Sequence, residues 1–262
     1  MKTISVPKEA STVIVLRPAI DREHGPFEVL MVQRHPDSLF VPECYVFPGG
    51  CIDEDDCSRE AASFCRGLDR QKAFRILVDM PTEAMALGAW FAATRETFEE
   101  TGIFISSKPC DLPTLACRRR QLLDGEINFT NILKMEKWTL SMDRLNYFAH
   151  WITPEFLPYR YDVRFFVTIA PEDQEAAHDG IELTGHTWIT PRRALGEYEQ
   201  NRFNMVLPTI MTLRELVHFD SIEAVIQSAR AKYVPPILTT VTKRGGQLVE
   251  IMPDGTVFSP VL

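Results

Sequence analysis

The sequence is short of positive charge: 28 Lys and Arg stand against 36 Asp and Glu, a formal net charge of −8 over 262 residues. That balance repels polyanions, so nucleic acid is disfavoured as the main partner. No apolar run is long enough to span a membrane, and no membrane partner is expected. The opening stretch "MKTISVPKEASTVIVLRP" lacks the apolar core of a secretory signal. The six cysteines, at 44, 51, 57, 65, 110 and 117, include no C-x-x-C pair. No histidine is placed to complete a zinc site with them. Free thiols in a reducing, cytoplasmic setting are therefore expected. There is also no repeat, no low-complexity segment and no linker between halves. One domain over 1–262 is the economical reading.

What is present is ordinary globular material, 45% apolar and 24% charged. "STVIVLRPAI" and "FEVLMVQR" predict two strands joined by a turn at "DREHGP". Pro48-Gly49-Gly50 marks a loop where backbone turns sharply or approaches something closely. Residues from about 53 to 80 are polar at first and helix-like later. Thr82 is placed to N-cap a helix over Glu83–Thr101, which Gly102 ends. "IFI" after it has strand character, and residues 113–138 read as two short helices broken at Asp124-Gly125. "LNYFAHWIT", "VRFFVTIA" and "GHTWIT" predict strands. "PRRALGEYE", "LPTIMTLRELVHF" and "SIEAVIQSARAK" predict helices, and the tail from Val234 reads as extended. The element order is that of an α/β domain.

The helix ending at Gly102 holds an electrostatic problem. Glu96, Glu99 and Glu100 crowd its C-terminal end, where the helix dipole is negative, and Glu96 repels Glu100 at i,i+4. At about 100° per residue, Leu87, Phe91, Thr94 and Phe98 form one stripe, with Trp90 at its edge. Ala92 and the glutamates fall opposite. Arg95 reaches Glu99 at i,i+4 and offsets part of the repulsion. Most helix glutamates are a solvated face. The alternative is a hard divalent cation, which takes oxygen ligands and shares them with phosphate. Composition and spacing leave the two readings about even.

"RETFEETGI" (Arg95 to Ile103) and "FPGG" (Phe47 to Gly50) resemble the Nudix box, R-E-(apolar)-x-E-E-x-G-(apolar) behind its opening loop. Thr97 sits in the apolar slot. The family leaves 13 residues between the opening glycine and the arginine, whereas 44 separate Gly50 from Arg95. The box glutamate eight residues before the arginine falls on Leu87. An insertion between loop and helix resembles one branch of the family, the coenzyme A diphosphatases. "WITPEFLPYRYDVRFFVTIAP" and "HDGIELTGHTWITPRRAL" are similar to that branch's later segments. The resemblance implies a Nudix α/β/α sandwich with a mixed sheet. Here it would be elaborated by the insertion at about 53–80 and a helical or extended C-terminal part at about 197–262.

The resemblance also implies hydrolysis of a small-molecule diphosphate joined to a nucleoside, with Mg²⁺ or Mn²⁺. Glu96, Glu99 and Glu100 match the metal-binding glutamates, and Arg95 would orient them. Gly49 and Gly50 would bring backbone to the metal site, with Phe47 at the mouth of the same loop. The general base is Glu96 or Glu99 within the box, or Glu182 on the acidic loop, with Glu175 behind it. Arg34, Arg160 and Arg164 are candidates for gripping phosphate, since guanidinium binds phosphate oxygens bidentately. For Arg160 and Arg164 an internal pair with Asp162 weighs equally. Histidines 35, 150, 178 and 186 form no catalytic pattern. In the coenzyme A motif L-L-T-x-R-[SA]-x3-R-x3-G-x3-F-P-G-G, the second arginine is Leu39 and the glycine is Glu43. That loss removes a phosphate contact, and Glu43 would repel phosphate. ADP-ribose, a dinucleotide or a nucleotide sugar thus stay open beside coenzyme A, as does a ligand-binding module without hydrolysis. RNA decapping fits the chemistry but not the charge. The insertion has two readings, a lid or substrate wall, toward which its place beside the catalytic loop tilts, or a surface elaboration or dimer contact. The C-terminal part would close the back of the site or form a homodimer contact.

Overall fold

The computed structural model describes residues 5–258, so the outermost four residues at each end of the expected 1–262 unit lie outside the described residues. Strands β1 (Lys8–Pro18), β2 (Phe27–Arg34), β3 (Tyr45–Val46) and β4 (Gly49–Cys51) come first. The insertion follows as α1 (Arg59–Phe64), β5 (Cys65–Arg66) and α2 (Arg70–Ile76). Then come α3 (Glu83–Thr101), α4 (Leu112–Leu123), α5 (Phe129–Glu136) and β6 (Leu140–Ser141). Strands β7 (Asn146–Ile152), β8 (Tyr161–Ile169) and β9 (Leu183–Ile189) precede α6 (Pro191–Glu199), α7 (Leu207–Leu216) and α8 (Ile222–Ala231). The tail forms β10 (Pro236–Leu238), β11 (Thr240–Arg244), β12 (Gln247–Ile251) and β13 (Val257–Phe258).

The main sheet runs β10-β7-β8-β1-β2-β3, with β4 also on β1 and β9 also on β2. β1 is parallel to β8 and β10 is parallel to β7, while the remaining pairs are antiparallel, so the sheet is mixed. Strand β1 is buried on both faces, which is why "TVIVL" is apolar without alternation. Val13 and Val15 join the core beneath α3, whereas Ile14 and Leu16 join the core beneath α6, α7 and α8. Helices thus cover both faces, giving the α/β/α sandwich with a mixed sheet.

Two features of this fold position the site. β1 pairs with β2 through Leu16–Pro18 and with β4 through Ala10–Thr12. Gly49 and Gly50 are thereby held in the sheet opposite Thr12 and Ser11. The insertion, in turn, is part of the core rather than a flap over it. Ala61, Ala73, Leu77 and Met80 are buried with α3 residues, and a Cβ on Gly88 would stand 2.6 Å from Cys57 Sγ.

One expected strand is absent. Ile103–Ile105 is fully buried but makes no ladder. At Phe104 the backbone is satisfied by a side chain instead: its N–H donates to Gln174 Oε1 at 2.7 Å, and Gln174 Nε2 donates to its carbonyl at 3.2 Å, while Ile105 O accepts from Ser141 N–H at 3.1 Å. A strand-like apolar run needs a neighbouring strand, and here a glutamine takes that place. All six cysteines are unpaired.

Candidate active site

Helix α3 begins and ends where its capping residues dictate. Thr82 Oγ1 accepts from Met85 N–H at 3.1 Å, and Gly102 at φ 75° turns the chain out of the helix. Leu87, Trp90, Phe91 and Phe98 anchor it in the core. Thr97 fits the apolar slot because its hydroxyl is used within the helix, donating to Ala93 O at 2.7 Å. The opposite side is only partly open: Glu96 and Glu99 are half-buried. Ala92 is fully buried and Glu100 is 5% exposed, because the Gly49-Gly50 strand lies over them. Gly49 N–H donates to Glu100 Oε2 at 2.8 Å. A Cβ on Gly50 would overlap the Glu96 carboxylate, and one on Gly49 would overlap the Ser11 carbonyl. Close backbone approach is therefore the reason for both glycines.

Arg95 holds this cluster together. Its Nη1 donates to Glu96 Oε1 and to Glu99 Oε2, each at 2.9 Å. Its Nε and Nη2 donate to the two oxygens of Asp56, again at 2.9 Å, and Nη2 also reaches Cys51 O at 3.0 Å. Asp56, 3% exposed, is the residue that reading the sequence missed. Counting back from Arg95 places the box's first acid at Leu87, which is buried in the core. The same box counted forward places it six residues after Gly50, at Asp56. The insertion begins after this acid, and the forward count was the signal that would have found it. Arg119 was also missed. Its Nε and Nη2 donate to the Glu99 carbonyl at 3.1 and 2.9 Å, bringing a cation to the negative end of α3. Nothing in the local sequence points to that contact.

Burial dominates the titration of the three glutamates. It pushes Glu96 up to about 7, opposed by Arg95 and assisted by Glu99. It raises Glu100 well above the usual carboxylate range, assisted by Glu96 and opposed by the Gly49 N–H and Arg34. Glu99 is raised for the same first reason, with Arg95 opposing. Burial also pulls the Arg95 pKa down, but the hydrogen bond to Asp56 and the charges of Glu96, Asp56 and Glu99 outweigh it and keep the pKa raised. Three crowded carboxylates with one shared arginine form a hard-oxygen donor set with negative charge to spare. That set fits a divalent cation.

These groups line one end of a cavity of about 570 Å³. Arg34 and Glu182 line it as well, and Phe47, Trp151 and Phe165 continue it along the sheet. Arg34 is held by its own loop, Nε to Phe40 O at 3.1 Å and Nη2 to Ser38 Oγ at 3.0 Å. Its Nη1 makes no hydrogen bond to the described residues. Glu182 is exposed just before β9. Asp179 Oδ1 shapes that loop by accepting from the N–H groups of Ile181, Glu182 and Leu183 at 2.7, 3.1 and 3.1 Å. Glu175 does not line the cavity.

Four expectations are corrected. Arg164 is 1% exposed and does not line the cavity; it pairs with Asp79 at 2.7 Å, with Asp162 at 3.0 Å and with Glu9. It is an internal tie, not a phosphate grip. Arg160 likewise serves backbone, donating to Thr153 O at 3.0 Å and Ser5 O at 2.7 Å. The insertion contributes no residue to the cavity wall, so it is not a lid over it. Leu39, 81% exposed, and Glu43 lie off the cavity too. Glu43 has φ 59°, the left-handed conformation that favours glycine. The motif's glycine there serves the backbone, and Glu43 is not placed to repel a phosphate. Asp79, His150 and Asp162 also lie close enough together for a metal, but the Arg164 guanidinium already compensates both aspartates.

The chain matches the NUDT19 Nudix domain family over residues 7–216, and it therefore belongs to that family. By family it is a Nudix diphosphohydrolase. It is 25% identical over 273 residues to the acyl-coenzyme A diphosphatase NUDT19 of Xenopus laevis, covering 83% of this chain and 71% of that protein. With the Homo sapiens acyl-coenzyme A diphosphatase NUDT19 it shares 25% over 233 residues, covering 75% of this chain and 62% of the relative. The crystal structure of a NUDIX hydrolase from Alicyclobacillus acidocaldarius superposes with a TM-score of 0.66 at 23% identity. That superposition covers 89% of this chain and all of the other, a likeness of fold. Among the described residues no helix is long and apolar enough to cross a membrane.

Proposed function

We propose that this chain hydrolyses the diphosphate of coenzyme A or an acyl-coenzyme A, using Mg²⁺ or Mn²⁺. The observation that carries the reading is the Glu96–Glu99–Glu100 cluster, Glu100 buried and the other two half-buried, packed against Gly49-Gly50 in the wall of the cavity. The names of the frog and human relatives favour coenzyme A over other diphosphates. The departures at Leu39 and Glu43 do not oppose it, since both residues lie away from the cavity.

Glu96, Glu99 and Glu100 would hold the ion. When bound, it would supply charge neutralisation for the diphosphate and acidify water. Arg95, fixed by Asp56, keeps Glu96 and Glu99 in one orientation, so that they are preorganised before substrate arrives. Arg34 offers its remaining N–H groups to a phosphate oxygen at the cavity end nearest Glu100. Glu182 is the general base of this reading, since it lines the cavity and its carboxylate makes no hydrogen bond to the described residues. Such a base needs only to reach the attacking water directly or through one other water.

The test is a panel of coenzyme A, an acyl-coenzyme A, ADP-ribose, a dinucleotide and a nucleotide sugar, assayed for hydrolysis of the diphosphate link. Mg²⁺- or Mn²⁺-dependent cleavage that favours the coenzyme A compounds is expected. Glu99→Gln should lower kcat roughly 100-fold or more. A preference for ADP-ribose or a dinucleotide would replace the substrate assignment. Unchanged turnover in Glu99→Gln would remove the site assignment.

A further inference from the structure

The far end of the cavity is built by a part of the chain outside the matched span of 7–216. Thr239, Glu250 and Phe258 line it together with Trp151, Phe165 and Leu207; Thr239 follows β10, which lies beyond β7 and β8 from the β1–β4 pair that carries the glycines. Strand register accounts for this wall. Glu250 of β12 stands directly across from Phe258 of β13, and directly opposed residues of an antiparallel pair project to the same face. The Thr239 hydroxyl donates to the Glu250 carboxyl from the other side. Glu250 is the one acidic group among these wall residues.

Among the described residues no lysine lines this cavity, and its two arginines, Arg34 and Arg95, lie with the glutamates at the other end. Arg214 lies over the Phe258 ring, 5.3 Å from its centre, and does not line the cavity. A carboxylate brought to the far end would therefore meet Glu250 and apolar surface, with no cation among the described lining residues to compensate it. An uncharged alkyl or acyl group would meet Trp151, Phe165, Leu207 and Phe258.

We propose that Glu250 is a specificity-determining residue: it lets the far end of the cavity accept neutral acyl substituents and reject those that end in a carboxylate. This rests on the coenzyme A reading above and adds to it the selection exerted by the C-terminal strands. Burial raises the Glu250 carboxyl's pKa, and the Thr239 hydrogen bond lowers it. The comparison is best made at mildly alkaline pH, where ionisation is favoured.

The experiment measures kcat/KM for two acyl-coenzyme A esters of equal chain length, one ending in methyl and one in carboxylate. It uses the full chain and Glu250→Gln. The wild type should favour the methyl-ended ester about tenfold or more, and Glu250→Gln should narrow that ratio several-fold. The ratio is taken within one preparation, so partial misfolding of the variant cancels. Phe258→Ala serves as a second variant and should weaken both esters together. Cleavage of both esters with the same ratio in wild type and Glu250→Gln overturns the assignment of Glu250 alone. Cleavage of neither ester, with other diphosphates cleaved, overturns the coenzyme A reading and this proposal with it.

Discussion

Three residues change meaning once their surroundings are known. Asp56 is the inner partner of Arg95, bound through both oxygens. Removing one member of a buried pair strands the other charge, so Asp56→Asn should cost about 3–5 kcal/mol in denaturant unfolding. It should also lower kcat by about 10–100-fold, because Arg95 then loses its fixed orientation. Leu87→Glu, which the backward count would favour as a repair, should instead destabilise the chain by placing a carboxylate in the core beneath α3. Glu43 occupies a left-handed backbone conformation while exposed. Glu43→Gly should therefore stabilise by about 1 kcal/mol in the same measurement, the relief of Cβ strain exceeding glycine's entropic cost. KM should stay unchanged.

At the scale of the element, α3 is a helix whose unfavourable end is compensated from three directions. Arg95 lies within it, Arg119 reaches the Glu99 carbonyl from α4, and Gly49 donates from the sheet. The compensation is incomplete, as the raised Glu96 pKa indicates. A folded-state pKa lifted from 4.5 to about 7 means that the folded chain holds an extra proton between those values. Stability from this group is therefore full below pH 4.5 and is lost as pH rises through about 7, a swing of about 3 kcal/mol. In EDTA the melting temperature should thus be lower at pH 8 than at pH 5.5, and adding Mg²⁺ should raise it more at pH 8 than at pH 5.5. Calorimetry with Glu96→Gln should show both effects diminished. The helix boundaries, caps and apolar stripe were readable from the chain because they are local. The cover over Glu100 was not, since it comes from a strand some 50 residues away in sequence.

For the whole molecule, the insertion is tied at both ends to the framework of sheet and helix rather than hung over the cavity. Asp56 fixes its start to α3, and Asp79 fixes its finish to Arg164 of β8. Arg164→Met should leave Glu9, Asp79 and Asp162 without their cation and destabilise by about 3–5 kcal/mol. Substrate KM should not change, whereas a phosphate-gripping arginine would raise it. Steady-state kinetics beside thermal melts separates the two.

By itself the sequence determined the helix that carries the glutamates, the glycine loop before it, the α/β order and the chemistry those residues share with Nudix enzymes. These depend on spacing, capping and periodicity along a short stretch of chain. Only the tertiary structure decided which acid holds Arg95, that Arg164 is an internal tie, that the insertion is core, and that the last strands wall the cavity. Each of those depends on groups far apart in sequence meeting in a buried place. There, an arginine's role is set by how many carboxylates reach it before any ligand does.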